Sequence, residues 1–163
     1  ANHQAIPNIM NVAFVPTFGM IGGSGSTIVL IIVTLLFSKN KVSKSIAKLG
    51  LAPGIFNINE PVIFGYPIVY NIALMIPFVL LPAIGIAVAY AATAIGFMNP
   101  CVVYIPWTTP PLVNAYLATA GDWRAVIVQL LIIIIGVLLY LPFVKINDKI
   151  MEKQMTEGEA EEA

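Results

Sequence analysis

Charge is scarce in this chain. Of 163 residues, 8 are Lys or Arg and 8 are Asp or Glu, 10% in all. A soluble domain carries about 25% charged residues and about 45–50% apolar ones. Here the apolar share is 59% and the mean hydropathy +0.92. That is too little charge to cover a water-exposed surface, so lipid must replace water over most of the exterior. The zero net charge offers no electrostatic footprint for a nucleic-acid partner. Cys101 is the only cysteine, which excludes an internal disulfide. It sits in apolar sequence with no His, Cys or basic group nearby, and reads as a packing residue. The single histidine, His3, lies in a polar stretch and reads as surface. With one Cys and one His, no metal-ligand set and no nucleophile–base pair can be assembled. Neither a cofactor nor a catalytic residue is expected. The chain begins at Ala1, which fits processing or a fragment, and residues 1–11 show no signal-peptide pattern.

The charges that are present are segregated. Lys39, Lys41, Lys44 and Lys48 share one segment, and Lys145, Lys149 and Lys153 another. Between Leu51 and Asp122 the only formal charge is Glu60. Apolar sequence fills the intervals. Residues 18–37 begin at the glycine-rich GGSG (22–25), which must either join a helix or break it. Residues 68–98 are long enough to span a bilayer, with Pro77 and Pro82 predicting a kink or a break. Residues 125–144 form the cleanest span.

Two further apolar stretches, 51–67 and 99–122, are dense in Pro, Gly and Asn. Irregular backbone survives at membrane depth only where protein or a water-filled cavity covers it. Both stretches therefore read as re-entrant hairpins, the alternative being surface loops. Lysine-rich segments mark the cytoplasmic side. With both on that side, an even number of spans must separate them, and 68–98 and 125–144 supply two, provided each hairpin returns to its own side. The expected fold is all-α and polytopic, with membrane-spanning helices and two re-entrant hairpins. Residues 1–155 form the membrane part, and residues 156–163 an acidic, solvated, disordered tail.

A carboxylate at membrane depth costs about 2.5–3.5 kcal/mol, so it marks a functional site by default. Glu60 has no cation near it in sequence; its neighbours are Asn57, Asn59 and Pro61. A carboxylate with flanking amides suits a neutral, hydroxyl-rich ligand. Trp107, in IPWTTPP (105–111), can stack on the apolar face of a sugar ring. Trp123, beside Asp122 and Arg124, reads instead as an interface anchor. Thr108 and Thr109 offer hydroxyls, either to a ligand or to backbone groups freed by the prolines. The glycines at 22, 23 and 25 open a helix whose free N–H groups could line a ligand site, but they read rather as close packing. A rival reading is a membrane-embedded enzyme using Glu60 as acid or base. Against it, no second catalytic group is visible.

At GIFNINEPVIFG (54–65) the chain closely resembles the enzyme IIC permeases of the lactose/cellobiose/diacetylchitobiose branch of the bacterial phosphotransferase system. The resemblance extends to GGSG (22–25), PWTTPP (106–111) and ATAGDWR (118–124). It implies a multi-pass protein of the bacterial cell membrane that binds a disaccharide, cellobiose-like, and translocates it for phosphorylation by a cytosolic IIB protein. It implies a homodimer in the full-length form, and substrate-binding roles for Asn59, Glu60, Trp107 and Thr108. Family members are considerably longer, and the likeness is to their C-terminal part. A sugar-site histidine that precedes this region in the family has no match here, and His3 does not fit its motif.

Overall fold

The computed structural model describes residues 8–161, so His3 lies outside the described part. The described residues form helices and connecting turns, without a strand. Helix α1 (Phe14–Gly19) and helix α2 (Thr27–Phe37) are separated by the glycine loop and one 3₁₀ turn, Ser24–Ser26. The glycines break the first apolar stretch: Gly22, Gly23 and Gly25 have φ of 78°, 97° and 73°, a left-handed region that glycine enters without steric cost. Carbonyls freed by the break find side-chain donors. Thr27 Oγ1 donates to Gly22 O (2.6 Å) and the Tyr140 hydroxyl to Gly25 O (2.9 Å).

Helix α3 (Lys41–Ile55) starts at Asn40, whose side-chain oxygen accepts from the backbone N–H of Val42 and Ser43. It carries residues 51–55, where Pro and Gly had suggested irregular chain. A Cβ on Gly54 would lie 3.0 Å from Ile31 Cδ1 and 3.6 Å from Ile28 Cδ1. The far end of α3 thus lies against the beginning of α2, and the two helices run antiparallel. The chain then turns at residues 56–59, with Asn57 at φ 61°, into α4 (Glu60–Gly65). Pro61 fits the first turn of α4, where no N–H is needed. Helix α4 returns along α3, bringing Gly65 against Ile46, and the Tyr66 hydroxyl donates to Ser43 O at 2.8 Å. The result is a helical hairpin with residues 57–60 at its tip.

Helix α5 (Ile72–Ala94) contains Pro77 and Pro82 and is not broken by them. Helix α7 (Trp123–Glu161) is the longest element. Both expose large apolar residues, among them Val79, Leu80, Ile134 and Leu138, as a lipid-facing helix does. Three stretches are long and apolar enough to cross a membrane: Phe14–Phe37, Ile72–Ala94 and Trp123–Gln154. Two of them separate the lysine-rich segments, so the even count is met. The fold also brings those segments together, because Ser38 Oγ and the Lys39 N–H donate to the Asp148 carboxylate at 2.9 and 3.0 Å. At its end α7 continues to Glu161 through acidic sequence expected as irregular chain; Glu and Ala are good helix formers and carry the helix past Gly158.

Residues 99–112 are irregular apart from short turns and lead into α6 (Val113–Ala118). The Asn99 N–H donates to Asp122 (2.7 Å), and Val102 and Val103 N–H donate to Ala118 O (2.8 and 3.1 Å). This second hairpin is therefore closed at its base beside the start of α7. Gln129, fully buried on α7, holds it from the side. Its amide donates to Thr17 O (2.7 Å) and Asn114 Oδ1 (3.0 Å), and its oxygen accepts from Leu112 N–H. Interhelical hydrogen bonds in membranes average about 0.6 kcal/mol, so three together are worth about 2 kcal/mol. Gln129→Leu should lower the thermal midpoint of the detergent-solubilised protein accordingly. An unchanged midpoint would mean that the released groups find other partners.

Candidate functional site

The two hairpins have their bases at opposite ends of α7, near Asp148 and at Asp122, and their tips meet. Asn57, at the first tip, donates through its side-chain amide to Trp107 O (2.6 Å) and Thr109 O (2.9 Å) of the second. Its oxygen accepts from the Gly22 N–H at 2.8 Å. The glycine loop, the first hairpin and the second are thus joined at one residue.

Around this junction lies a cavity of about 230 Å³ lined by Pro16, Met20, Gly23, Ser24, Asn57, Asn59, Glu60 and Trp107. Asn59 is buried and donates to Ser24 O at 2.7 Å, which leaves its side-chain oxygen for a ligand. Glu60 is solvent-accessible at the first residue of α4. Its carboxylate makes no ion pair or hydrogen bond with the described residues, so all its acceptor capacity is open. Trp107 is 59% exposed and is among the residues that line the same space. Three of the four residues singled out from sequence therefore meet here. The fourth, Thr108, follows Trp107 in the tip but is not part of the lining.

Sequence reasoning missed Asn57 as more than a neighbour of Glu60. For the glycines at 22, 23 and 25 it weighed a ligand-lining role and preferred close packing. Their packing is close, since a Cβ on Gly23 would sit 2.6 Å from Asn59 Cγ, but Gly23 and Ser24 are also cavity wall. No local signal marks this, because the loop is 35 residues away from Asn59 in sequence. A larger cavity of about 470 Å³ lies between residues 65–73 and 147–154. It too is lined by amides (Asn71, Asn147 and Gln154) and by the exposed Tyr70, but by no charged residue; the carboxylate of Glu60 is what sets the smaller cavity apart. Beside Glu60 the lining holds no second acid or base, so the geometry gives no support to an enzyme built on this carboxylate. Cys101 is buried in the apolar core, in keeping with a packing role.

The family model for the phosphotransferase system EIIC matches residues 1–82. The chain belongs to the EIIC family. It is 48% identical over 138 residues to the cellobiose-specific EIIC component of Lactococcus lactis, covering 85% of this chain and 28% of that one. It is 41% identical over 150 residues to the oligo-beta-mannoside-specific EIIC component of Bacillus subtilis, covering 90% of this chain and 34% of that one. Among solved structures, this EIIC chain superposes on the transporter ChbC, the IIC component of the N,N'-diacetylchitobiose-specific phosphotransferase system. The TM-score is 0.87 and the identity 41%, over 93% of this chain and 36% of that one. The EIIC segment described here thus spans about a third or less of the length of these relatives. With its family and its three stretches long and apolar enough to cross a membrane, it is part of a multi-pass protein of the bacterial membrane.

Proposed function

We propose that this EIIC segment supplies the sugar-binding wall of a disaccharide permease, which carries a cellobiose-like sugar across the membrane for phosphorylation by a cytosolic IIB protein. The observation that carries the reading is the convergence of an unpaired carboxylate, Glu60, the free oxygen of Asn59 and the exposed ring of Trp107 on one cavity. A disaccharide offers many hydroxyls and two apolar ring faces, and those groups answer both. The cellobiose- and oligo-beta-mannoside-specific relatives support a β-linked substrate. Thr108, next along the tip, offers a further hydroxyl.

The tips of the hairpins act as re-entrant elements, and the broken α1–α2 helix lies beside them. Discontinuous helices around a mid-membrane site are a recurring transporter plan. The cavity of about 230 Å³ is smaller than the roughly 300–1,000 Å³ usual for ligand pockets. That fits a site whose remaining wall comes from the part of the longer relatives that this chain does not span. The full-length form is taken to be a homodimer, and residues 156–163 to lie outside the membrane part.

The test is sugar affinity in the full-length permease. Aromatic contacts are worth about 0.5–1.5 kcal/mol beyond area burial. Trp107→Ala should therefore weaken cellobiose binding roughly tenfold, and Trp107→Phe less. Wild-type affinity in a folded Ala variant would remove Trp107 from the site and leave the proposal without its stacking face.

A further inference from the structure

We propose that Asn57 is a positioning residue that sets the gap between Trp107 and Glu60, and so tunes the sugar affinity, without itself being the main ligand group. The inference rests on the sugar-site reading above. Trp107 belongs to one hairpin and Glu60 to the other, and the distance between them depends on what joins the tips. The second tip cannot hold itself well. Pro106, Pro110 and Pro111 donate no N–H, and Thr109 N–H to Pro106 O (3.0 Å) is the one backbone bond recorded within 105–111. The carbonyls of Trp107 and Thr109 both point to Asn57, whose NH₂ has two hydrogens and gives one to each.

The remaining atom of the amide is also used, because Oδ1 accepts from Gly22 N–H. A group with two donors and one acceptor on a short stem is required. Ser has one donor, Asp has none when ionised, and Gln reaches one methylene further. Asn is also among the few non-glycine residues at ease at φ 61°. Asn57 is three residues before Glu60, so a shift of the first tip and a shift of the Trp107 backbone are mechanically the same event.

The experiment is equilibrium binding of labelled cellobiose to the full-length permease as wild type, Asn57→Asp, Trp107→Ala, the double variant and Glu60→Gln. Asn57→Asp keeps an acceptor for Gly22 but turns a carboxylate toward two carbonyls. Affinity should fall roughly tenfold, the same scale as Trp107→Ala. Because Asn57 acts through Trp107, the double variant should lose roughly tenfold rather than a hundredfold, since coupled residues are not additive. A merely destabilising substitution would instead add its loss to that of Trp107→Ala. Should Asn57→Asp not fold, Asn57→Gly takes its place, because glycine adopts the same backbone freely. Wild-type affinity, full additivity, or failure of both variants to fold would each overturn the proposal. Glu60→Gln separates the two levels. If it weakens binding while Asn57→Asp does not, only this inference falls; if it binds normally, the sugar-site reading falls and takes this inference with it.

Discussion

Glu60→Gln in the full-length permease should weaken disaccharide binding ten- to a hundredfold. In the proposed site the carboxylate would accept from sugar hydroxyls through both oxygens, and the amide replaces one acceptor by a donor of nearly the same shape. A hydrogen bond to a charged group is worth about 1.5–3 kcal/mol, which is roughly that range in affinity. The side chain has no other recorded task. It makes no bond to the described residues and it starts a helix of six residues, so folding should survive the change. The measurement is the dissociation constant of cellobiose for both proteins. Normal affinity in the Gln variant would deny the carboxylate any part in recognition.

Gly25→Ala should have a large effect on folding. Two costs combine at that position. The backbone is at φ 73°, which costs a residue with a Cβ about 1–3 kcal/mol. The Cβ would also stand 2.1 and 2.3 Å from carbons of the Phe78 ring, and overpacking of this kind costs about 1–3 kcal/mol. The sum, about 2–6 kcal/mol, is a large share of the total stability of a typical domain. Gly96 provides the comparison. It has φ 75° but nothing within 4 Å of its Cβ position, so Gly96→Ala should cost only the backbone part. Thermal midpoints of the two variants in detergent check this. Equal losses would show that Phe78 moves aside freely and that the glycine loop is less tightly seated than its geometry indicates.

The legible features were those that follow from composition and local pattern. Two lysine clusters separated by apolar sequence pointed to two crossings and a shared side. In the structure α5 and α7 are long and apolar enough to cross a membrane, and the Ser38–Asp148 contact puts the two lysine segments at one end of the fold. Helix boundaries near proline and glycine were less legible. Residues 51–55 continue α3, because Asn40 caps its start, Gly50 lets Val62 of α4 approach and Gly54 lets α2 approach. Pro77 and Pro82 sit within an unbroken α5. In both cases packing against neighbouring helices outweighs a local preference against helix. The role of Asn57 was not legible at all, since its partners Gly22, Trp107 and Thr109 lie 35, 50 and 52 residues away.

By itself the sequence determined the solvent of this protein, the approximate place of α5 and α7, its family, and the carboxylate at the centre of the proposed site. Those follow from transfer free energies and from residue types, which belong to each residue wherever it ends up in space. Only the tertiary structure decided that the glycine loop and the two hairpin tips converge, that Asn59, Glu60 and Trp107 share one cavity while Thr108 does not line it, and that one asparagine holds the tips together. Those are distances between segments remote in the chain. They are set by how helices pack and by where buried backbone groups find hydrogen-bond partners.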